Sequence, residues 1–392
     1  MPCQPNTKKQ NTTQLNESQS VMPPIHRAST VFFDNVKALS QCDWRNYDAY
    51  TYGREGSPTT QELERWLATI EGGLHTILAP SGLAAFSLAS LALVQCGDRI
   101  ALPANGYGTG TQMVDVLLRR FGVQKSIYEP TQPSSWNQTI PTGTRLIWIE
   151  APGSITMEVP DLIQLRNHAR SIGAYTIIDN TYSAGIHLKP FDIGIDVSMQ
   201  ALTKFQSGGA DVLMGSLTCI DDELHARLLE ARHLLGLNVS PDDAYLVIRG
   251  LHTMKLRYEQ SSRSAELIAN WFLSRPGVHR VLYPPFDVSP GFEYWKTHFT
   301  AAAGLFSVAL SEDVPESQLH AFIEALQRFH IGFSWGGPSS LVMIYGHDHS
   351  SVQRLRNLKQ PVGNIVRFWI GLEEHEILLE DIKQAWHQAI RN

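Results

Sequence analysis

The stretch Tyr175-Thr176-Ile177-Ile178-Asp179-Asn180-Thr181 decides how this chain is read. Four residues rich in β-branched side chains end abruptly on an acid. That is the pattern of a short strand buried on both faces, with a carboxylate at its C-terminal end. Ligands of open α/β sheets bind at that edge. An Asx turn or helix cap would also use an aspartate there, so the acid alone does not define a site.

Working outward, strands and helices alternate. Upstream, the periodicity predicts strands over Thr76–Ala79, Arg99–Leu102 and Arg145–Ile149, and helices over Leu83–Val94, Thr111–Phe121 and Asp161–Ile172. Thr59-Thr60-Gln61-Glu62 fits a capping box, opening a helix whose Leu63, Trp66, Leu67 and Ile70 share a face and which Gly72-Gly73 stops. Downstream, strands are predicted over Asp196–Gln200 and Val212–Thr218, and helices over Asp222–Leu235 and from Pro241 to about Ser274. Such alternation implies a mostly parallel sheet with helices on both faces. After Arg275-Pro276-Gly277 the texture changes. Strand-like Val278–Tyr283, Leu305–Leu310, Leu341–Tyr345 and Ile365–Ile370 mix with helices near Glu316–Arg328 and Leu378–Ile390, which predicts a smaller α+β unit.

Composition narrows the function classes. The 392 residues carry a net charge of −6 and are 43% hydrophobic, which suits a folded chain of more than one domain. The mild acidity gives no footprint for nucleic acid or an anionic membrane. No apolar run approaches the roughly 18 residues of a spanning helix. The polar opening Met1–Ser20 has no apolar core of a signal peptide, so it reads as a disordered tail and the expected compartment is cytoplasmic. Cys3, Cys42, Cys96 and Cys219 lack C-x-x-C spacing and read as reduced, structural thiols. Fifteen histidines offer one cluster, His347-Asp348-His349, which reads as a polar loop, and no metal site is expected.

Three features carry chemistry. Pro80-Ser81-Gly82-Leu83-Ala84-Ala85 lies between a strand and a helix, where small residues let backbone N–H groups approach an anion. Asp179 is the acid at a strand end. Lys204, in Gln200-Ala201-Leu202-Thr203-Lys204-Phe205, follows another strand and precedes Gly208-Gly209. Gly106-Tyr107-Gly108-Thr109-Gly110 is not a dinucleotide fingerprint. A phosphate cradle, an acid and a lysine together match pyridoxal 5′-phosphate (PLP) chemistry, in which the acid keeps the pyridine nitrogen protonated and the lysine forms a Schiff base.

The chain resembles the Cys/Met-metabolism, or transsulfuration, PLP enzymes, of fold type I (aspartate-aminotransferase-like). The resemblance runs from about Ser29 to near the C-terminus. It rests on Tyr52-Gly53-Arg54 with Pro58-Thr59, Ser81-Gly82-Leu83-Ala84-Ala85, Asp179-Asn180-Thr181, Thr203-Lys204, Ser334-Trp335-Gly336-Gly337, and Arg367 before Ile370-Gly371-Leu372-Glu373. Within the family, Glu150-Ala151-Pro152-Gly153-Ser154-Ile155-Thr156-Met157-Glu158-Val159 is similar to the bacterial cystathionine β-lyase branch. The segments Phe292–Lys296 and Gly304–Ser307 point the same way.

The resemblance implies roles. Lys204 would be the Schiff-base lysine and proton shuttle, Asp179 the partner of the pyridine nitrogen, and Tyr107 the residue stacked over the ring. Gly82, Leu83 and Thr203 would bind phosphate, and Tyr52 and Arg54 would reach the phosphate of a neighbouring subunit. Arg367 would pair the substrate α-carboxylate, helped by Ser154 and Ser334, with Trp335 beside them. It implies an N-terminal tail and arm over 1–59, a large PLP-binding domain over 60–255 and a C-terminal α+β domain over 256–392. It also implies a homo-oligomer, a dimer with shared sites and expectedly a tetramer. The implied reaction is carbon–sulfur β-elimination on cystathionine or a related thioether or thiol amino acid. γ-Elimination, γ-replacement, racemisation and a PLP-binding regulatory role are the alternatives. Three departures bear on the substrate's far end: Ser339 stands where relatives often carry glutamate, Gly108-Thr109-Gly110-Thr111-Gln112 lacks acids, and Gly209 replaces a common histidine.

Overall fold

The computed structural model describes residues 20–46 and 49–390. The expectations for Cys3 and the opening tail up to residue 19 lie outside the described residues. A seven-stranded sheet forms the larger layer. Its strands are β1 (His75–Ala79), β2 (Arg99–Pro103), β3 (Gln124–Tyr128), β4 (Thr144–Glu150), β5 (Tyr175–Asp179), β6 (Val197–Ala201) and β7 (Gly215–Cys219). Their order is β1-β7-β6-β5-β4-β2-β3. Strands β3, β2, β4, β5 and β6 run parallel, whereas β7 is antiparallel to both its neighbours. The sheet is therefore mostly parallel, as the apolar runs predict. Its central strands are buried on both faces: Ile147, Ile149, Ile177, Ile178 and Val197 are at most 1% exposed.

Local chemistry moves several boundaries. The first long helix is Pro58–Glu71, and its capping box is Ser57 with Thr60, two residues earlier than the Thr59–Glu62 frame. Pro58 takes the first helical position, where its missing N–H costs nothing. Gly72, at φ 78°, ends the helix as expected. The predicted helix Thr111–Phe121 starts at Gly108 and breaks after Val116 into a 3₁₀ turn, Leu118–Phe121. The predicted strand Val212–Thr218 begins only at Gly215, because Met214 instead pairs with Thr203, exchanging backbone and hydroxyl hydrogen bonds of 3.1–3.4 Å. Strand β3 was not predicted: it is an edge strand, Gln-Lys-Ser-Ile-Tyr, with only Tyr128 buried.

The second sheet holds β8 (Val278–Leu282), β9 (Leu305–Leu310), β10 (His330–Ile331), β11 (Leu341–Tyr345) and β12 (Ile365–Trp369), in the order β10-β11-β12-β9-β8. Only the β10–β11 pair is parallel. Helices Glu316–Ala325 and His375–Ala389 pack on it, giving the smaller α+β unit. Two helices, Phe292–His298 and Ser350–Asn357, add to the predicted set. The 32-residue helix Pro241–Phe272 runs unbroken through position 255. One face of it, from Ala244 through Tyr258 to Phe272, joins both layers in a single apolar cluster with Phe205, Phe306 and Phe368. Among the described residues no helix is long and apolar enough to cross a membrane, and no group of residues could hold a metal ion.

Candidate active site

The parallel strands end together, and their ends form the floor of the site. Glu150 closes β4 and Asp179 closes β5, and the two acids are direct register partners. Asp179 Oδ1 accepts the Thr181 backbone N–H at 3.0 Å and the Thr181 hydroxyl at 2.5 Å. Burial raises its pKa, opposed by these donors and by the Lys204 ammonium.

Lys204 sits in the loop after β6, and its Nζ donates to Ser334 Oγ at 2.5 Å. Burial, followed by the nearby Arg367 charge, lowers its pKa from 10.5 to about 8, against the pull of Asp179. The amine is thus brought toward its neutral, nucleophilic form near physiological pH. It lies 5.2 Å from the centroid of the Trp335 ring. That ring packs against Phe205 and Tyr182. Two backbone features hold this contact. Ser334 adopts φ 85°, a conformation unusual for a side-chain-bearing residue. Gly336, at φ 88°, passes so close to Lys204 that a Cβ would lie 2.8 Å from its Cα.

The Ser81–Ala85 turn opens the helix Gly82–Leu93. Ser81 Oγ caps it by accepting from the Ala84 N–H. The first N–H groups of a helix have no intrahelical acceptor, so Gly82 and Leu83 present donors at the positive end of its dipole. A Cβ on Gly82 would lie 2.8 Å from the Ala201 methyl, and one on Gly215 would lie 2.4 Å from Ser81 O, so the cradle closes only because both are glycine. Thr203 is nearby in sequence, with its hydroxyl on Met214.

On the opposite wall, Arg367 projects from β12 of the smaller sheet. Its Nη1 donates to Ser154 O at 3.0 Å, and its guanidinium lies 5.3 Å from the Tyr345 ring centroid. The Ser154 hydroxyl donates to Glu150 Oε1, and Glu150 Oε2 accepts the Tyr107 N–H at 2.6 Å. Tyr107 is 56% exposed. Glu150 is the residue that the sequence reading quoted without giving it a role. Its signal was present: an acid that terminates a buried strand, as in Asp179. Burial and the neighbouring Asp179 raise its pKa to about 8.

Tyr52 and Arg54 stand apart from this cluster. Arg54 pairs with Glu55 at 2.8 Å and approaches His233 at 3.4 Å, and His233 stacks on Trp44 at 3.8 Å. Tyr52 is 47% exposed. Within one chain the arm is therefore organised but faces outward.

An acid at a strand end, an amine of lowered pKa and a helix N-terminus closed by two glycines form the donor set that a phosphorylated pyridine aldehyde needs, and the residues fit PLP. A fold type I chain with this constellation is a PLP-dependent enzyme. Residues 6–387 match the family described as Cys/Met metabolism PLP-dependent enzyme, and the chain belongs to that family. It is 32% identical over 393 residues to a cystathionine beta-lyase of Escherichia coli (strain K12), covering 98% of this chain and 99% of the relative. It is 33% identical over 375 residues to a cystathionine beta-lyase of Salmonella typhimurium, covering 95% and 94%. The solved cystathionine gamma synthase of Xanthomonas oryzae pv. oryzae, in complex with cystathionine, superposes with a TM-score of 0.86 at 28% identity, covering 94% of both chains.

Proposed function

We propose that this enzyme is a carbon–sulfur β-lyase that acts on cystathionine or a related thioether or thiol amino acid, releasing a thiol, pyruvate and ammonia. The observation that carries it is the convergence of Lys204, Asp179 and Arg367: an amine for proton transfer, an anion for the ring nitrogen and a cation for a carboxylate. The names of the two enterobacterial relatives support β-elimination, as does the Gly153-Ser154 segment.

In this reading Gly82, Leu83 and Thr203 would hold the phosphate, Tyr107 would cover the ring, and Lys204 would anchor the aldehyde carbon. Bound PLP supplies an electron sink that makes loss of the α-proton and then of the β-thiolate accessible. Arg367 binds the substrate carboxylate as a fork, with Ser154 as a second donor, which fixes the α-carbon beside Lys204. Lys204 Nζ, partly neutral near pH 8, takes the α-proton there, and Ser334 and Trp335 keep it aimed. Asp179, whose ionised form two Thr181 donors favour against burial, would preserve the positive charge of the ring nitrogen.

The likeness to a γ-synthase favours γ-replacement as the second reading. Incubation with cystathionine separates them. Pyruvate with homocysteine supports β-elimination; 2-oxobutyrate with cysteine overturns it.

The outward arm supports a homo-oligomer in which Tyr52 and Arg54 serve the partner's phosphate site, and Phe32, Leu213 and Phe333 leave apolar surface for such an interface. Mixing Lys204→Ala with Arg54→Ala subunits should restore activity above either parent, because half of the heterodimer's sites are then intact. Verified heterodimers without recovery would refute sharing. Free Cys42 and Cys96, both exposed, suit a reducing, cytoplasmic location.

A further inference from the structure

Ser154 has one hydroxyl proton, and in this structure that proton is given to Glu150 Oε1. An incoming carboxylate that pairs with Arg367 needs the same proton. If the hydroxyl merely rotated toward it, two acceptor oxygens, Ser154 Oγ and Glu150 Oε1, would be left in contact with no hydrogen between them. The charge balance is no better. The groups facing Glu150 are Asp179 on β5, Arg367 on β12, the Tyr128 phenol, the Tyr107 backbone N–H and the Ser154 hydroxyl, while the Tyr107 phenol faces Arg367 and the Lys204 ammonium faces Asp179. With an anionic substrate bound, the Arg367 guanidinium would face two carboxylates, the substrate's and that of Glu150. Burial raises the pKa of Asp179, but both Thr181 donors and Lys204 favour its charged form. Glu150 has only the Tyr107 N–H and the disputed Ser154 proton.

We propose that Glu150 is a positioning acid for the substrate-carboxylate subsite: it takes up a proton from solvent when a carboxylate binds, donates it in a hydrogen bond to Ser154 Oγ, and so frees the Ser154 hydroxyl to donate to the carboxylate. No covalent bond forms other than the O–H of Glu150, and the bound anion balances the added charge. The inference rests on the reading of Arg367 and Ser154 as the carboxylate subsite. It deepens that reading by making substrate binding a proton-coupled event, with Tyr107 tied to the same carboxyl through its backbone.

With its pKa raised to about 8, Glu150 is ionised in the free site only above that pH, so the proton is taken up on binding there and is already in place below it. Propionate, a carboxylate without an amine, is titrated into the PLP-loaded enzyme by calorimetry in buffers of different ionisation enthalpy. The cofactor's visible band accounts for any proton taken up at Lys204. Above about pH 8 the wild type should take up about one proton on binding, and its affinity should fall by up to about tenfold per pH unit. Glu150→Gln keeps an acceptor for Tyr107 and a neutral donor for Ser154. It should bind propionate with no such uptake and with an affinity flat across this range. Equal uptake in Glu150→Gln, or none in the wild type, overturns the proposal. If the variant does not fold, the wild type alone decides. An infrared carbonyl band of a protonated carboxylic acid that appears with propionate supports the proposal, and its absence overturns it. Arg367→Ala tests the underlying reading. If it abolishes binding while the wild type takes up no proton, the subsite stands and the proton step falls. If binding survives unchanged, both fall.

Discussion

The two walls of the site are built by different rules. The floor comes from one sheet. Asp179 and Glu150 end neighbouring parallel strands, Lys204 follows the next strand, and their positions are set by backbone register within a buried core. The opposite wall is assembled from the smaller unit and from loops: Arg367 on β12, Ser334 at φ 85°, Trp335, and Gly336 pressed on Lys204. The floor is specified by strand pattern, whereas the wall is specified by contacts between layers distant in sequence. The floor should therefore govern the chemistry, and the wall should govern which molecule reaches it.

The largest effect should come from the floor. Asp179→Asn removes the anion while keeping the shape, and kcat should fall by at least about a hundredfold, since charge stabilisation by a placed group is typically worth that much. PLP should remain bound, as read by its visible band. Near-normal turnover would erase the division between floor and wall.

A smaller, different effect should come from the wall. Arg367→Lys keeps the charge and loses the fork. KM should rise by about ten- to a hundredfold, corresponding to a charge-assisted bond of about 1.5–3 kcal/mol. kcat should change less. A loss confined to kcat would place Arg367 with the floor.

The smallest effect concerns stability of the cofactor-free protein. Burial raises the pKa of Glu150 from 4.5 to about 8, so the folded chain binds a proton that the unfolded chain has released. Stability on this account falls as pH rises through that window. His187 and His225, depressed to about 4 by burial, act oppositely: their contribution is present above 6.5 and is lost as pH falls toward 4. The two windows overlap from about pH 4.5 to 6.5, where two histidines outweigh one carboxyl, so on these groups urea midpoints should peak near pH 6.5. In Glu150→Gln the fall between about pH 6 and 8 should flatten. An unchanged slope would assign the fall to other groups.

The same contrast explains what could be read from sequence. Asp179, Lys204 and the Ser81–Leu83 turn stand beside apolar runs whose period announces them. Glu150 carries the same mark, an acid at the end of a buried apolar strand, but only the pairing of β4 with β5 shows it beside Asp179. The left-handed Ser334 and the approach of Gly336 to Lys204 leave no periodic trace, since they arise from contact between loops far apart in the chain. Arg367 and Trp335 were assigned through family resemblance. Strand β3 was missed because an edge strand need not be apolar. The cap at Ser57 lies two residues before the expected Thr59, because Pro58 takes the first helical position.

The antiparallel strand β7 has a consequence in time. Among the described residues, strand β1, which leads directly into the Ser81–Leu83 turn, has β7 as its sole neighbour in the sheet. A nascent chain emerging at roughly 5–20 residues per second makes β1 early and β7 many seconds later. Until then β1 has no strand to pair with, and the turn proposed to cradle the phosphate is tethered on one side only. The earliest-made part of the site is thus among the last to be fixed. The cofactor should be captured late in biogenesis, by a chain already extended beyond Cys219, and a ribosome-bound fragment that ends before β7 should not retain it.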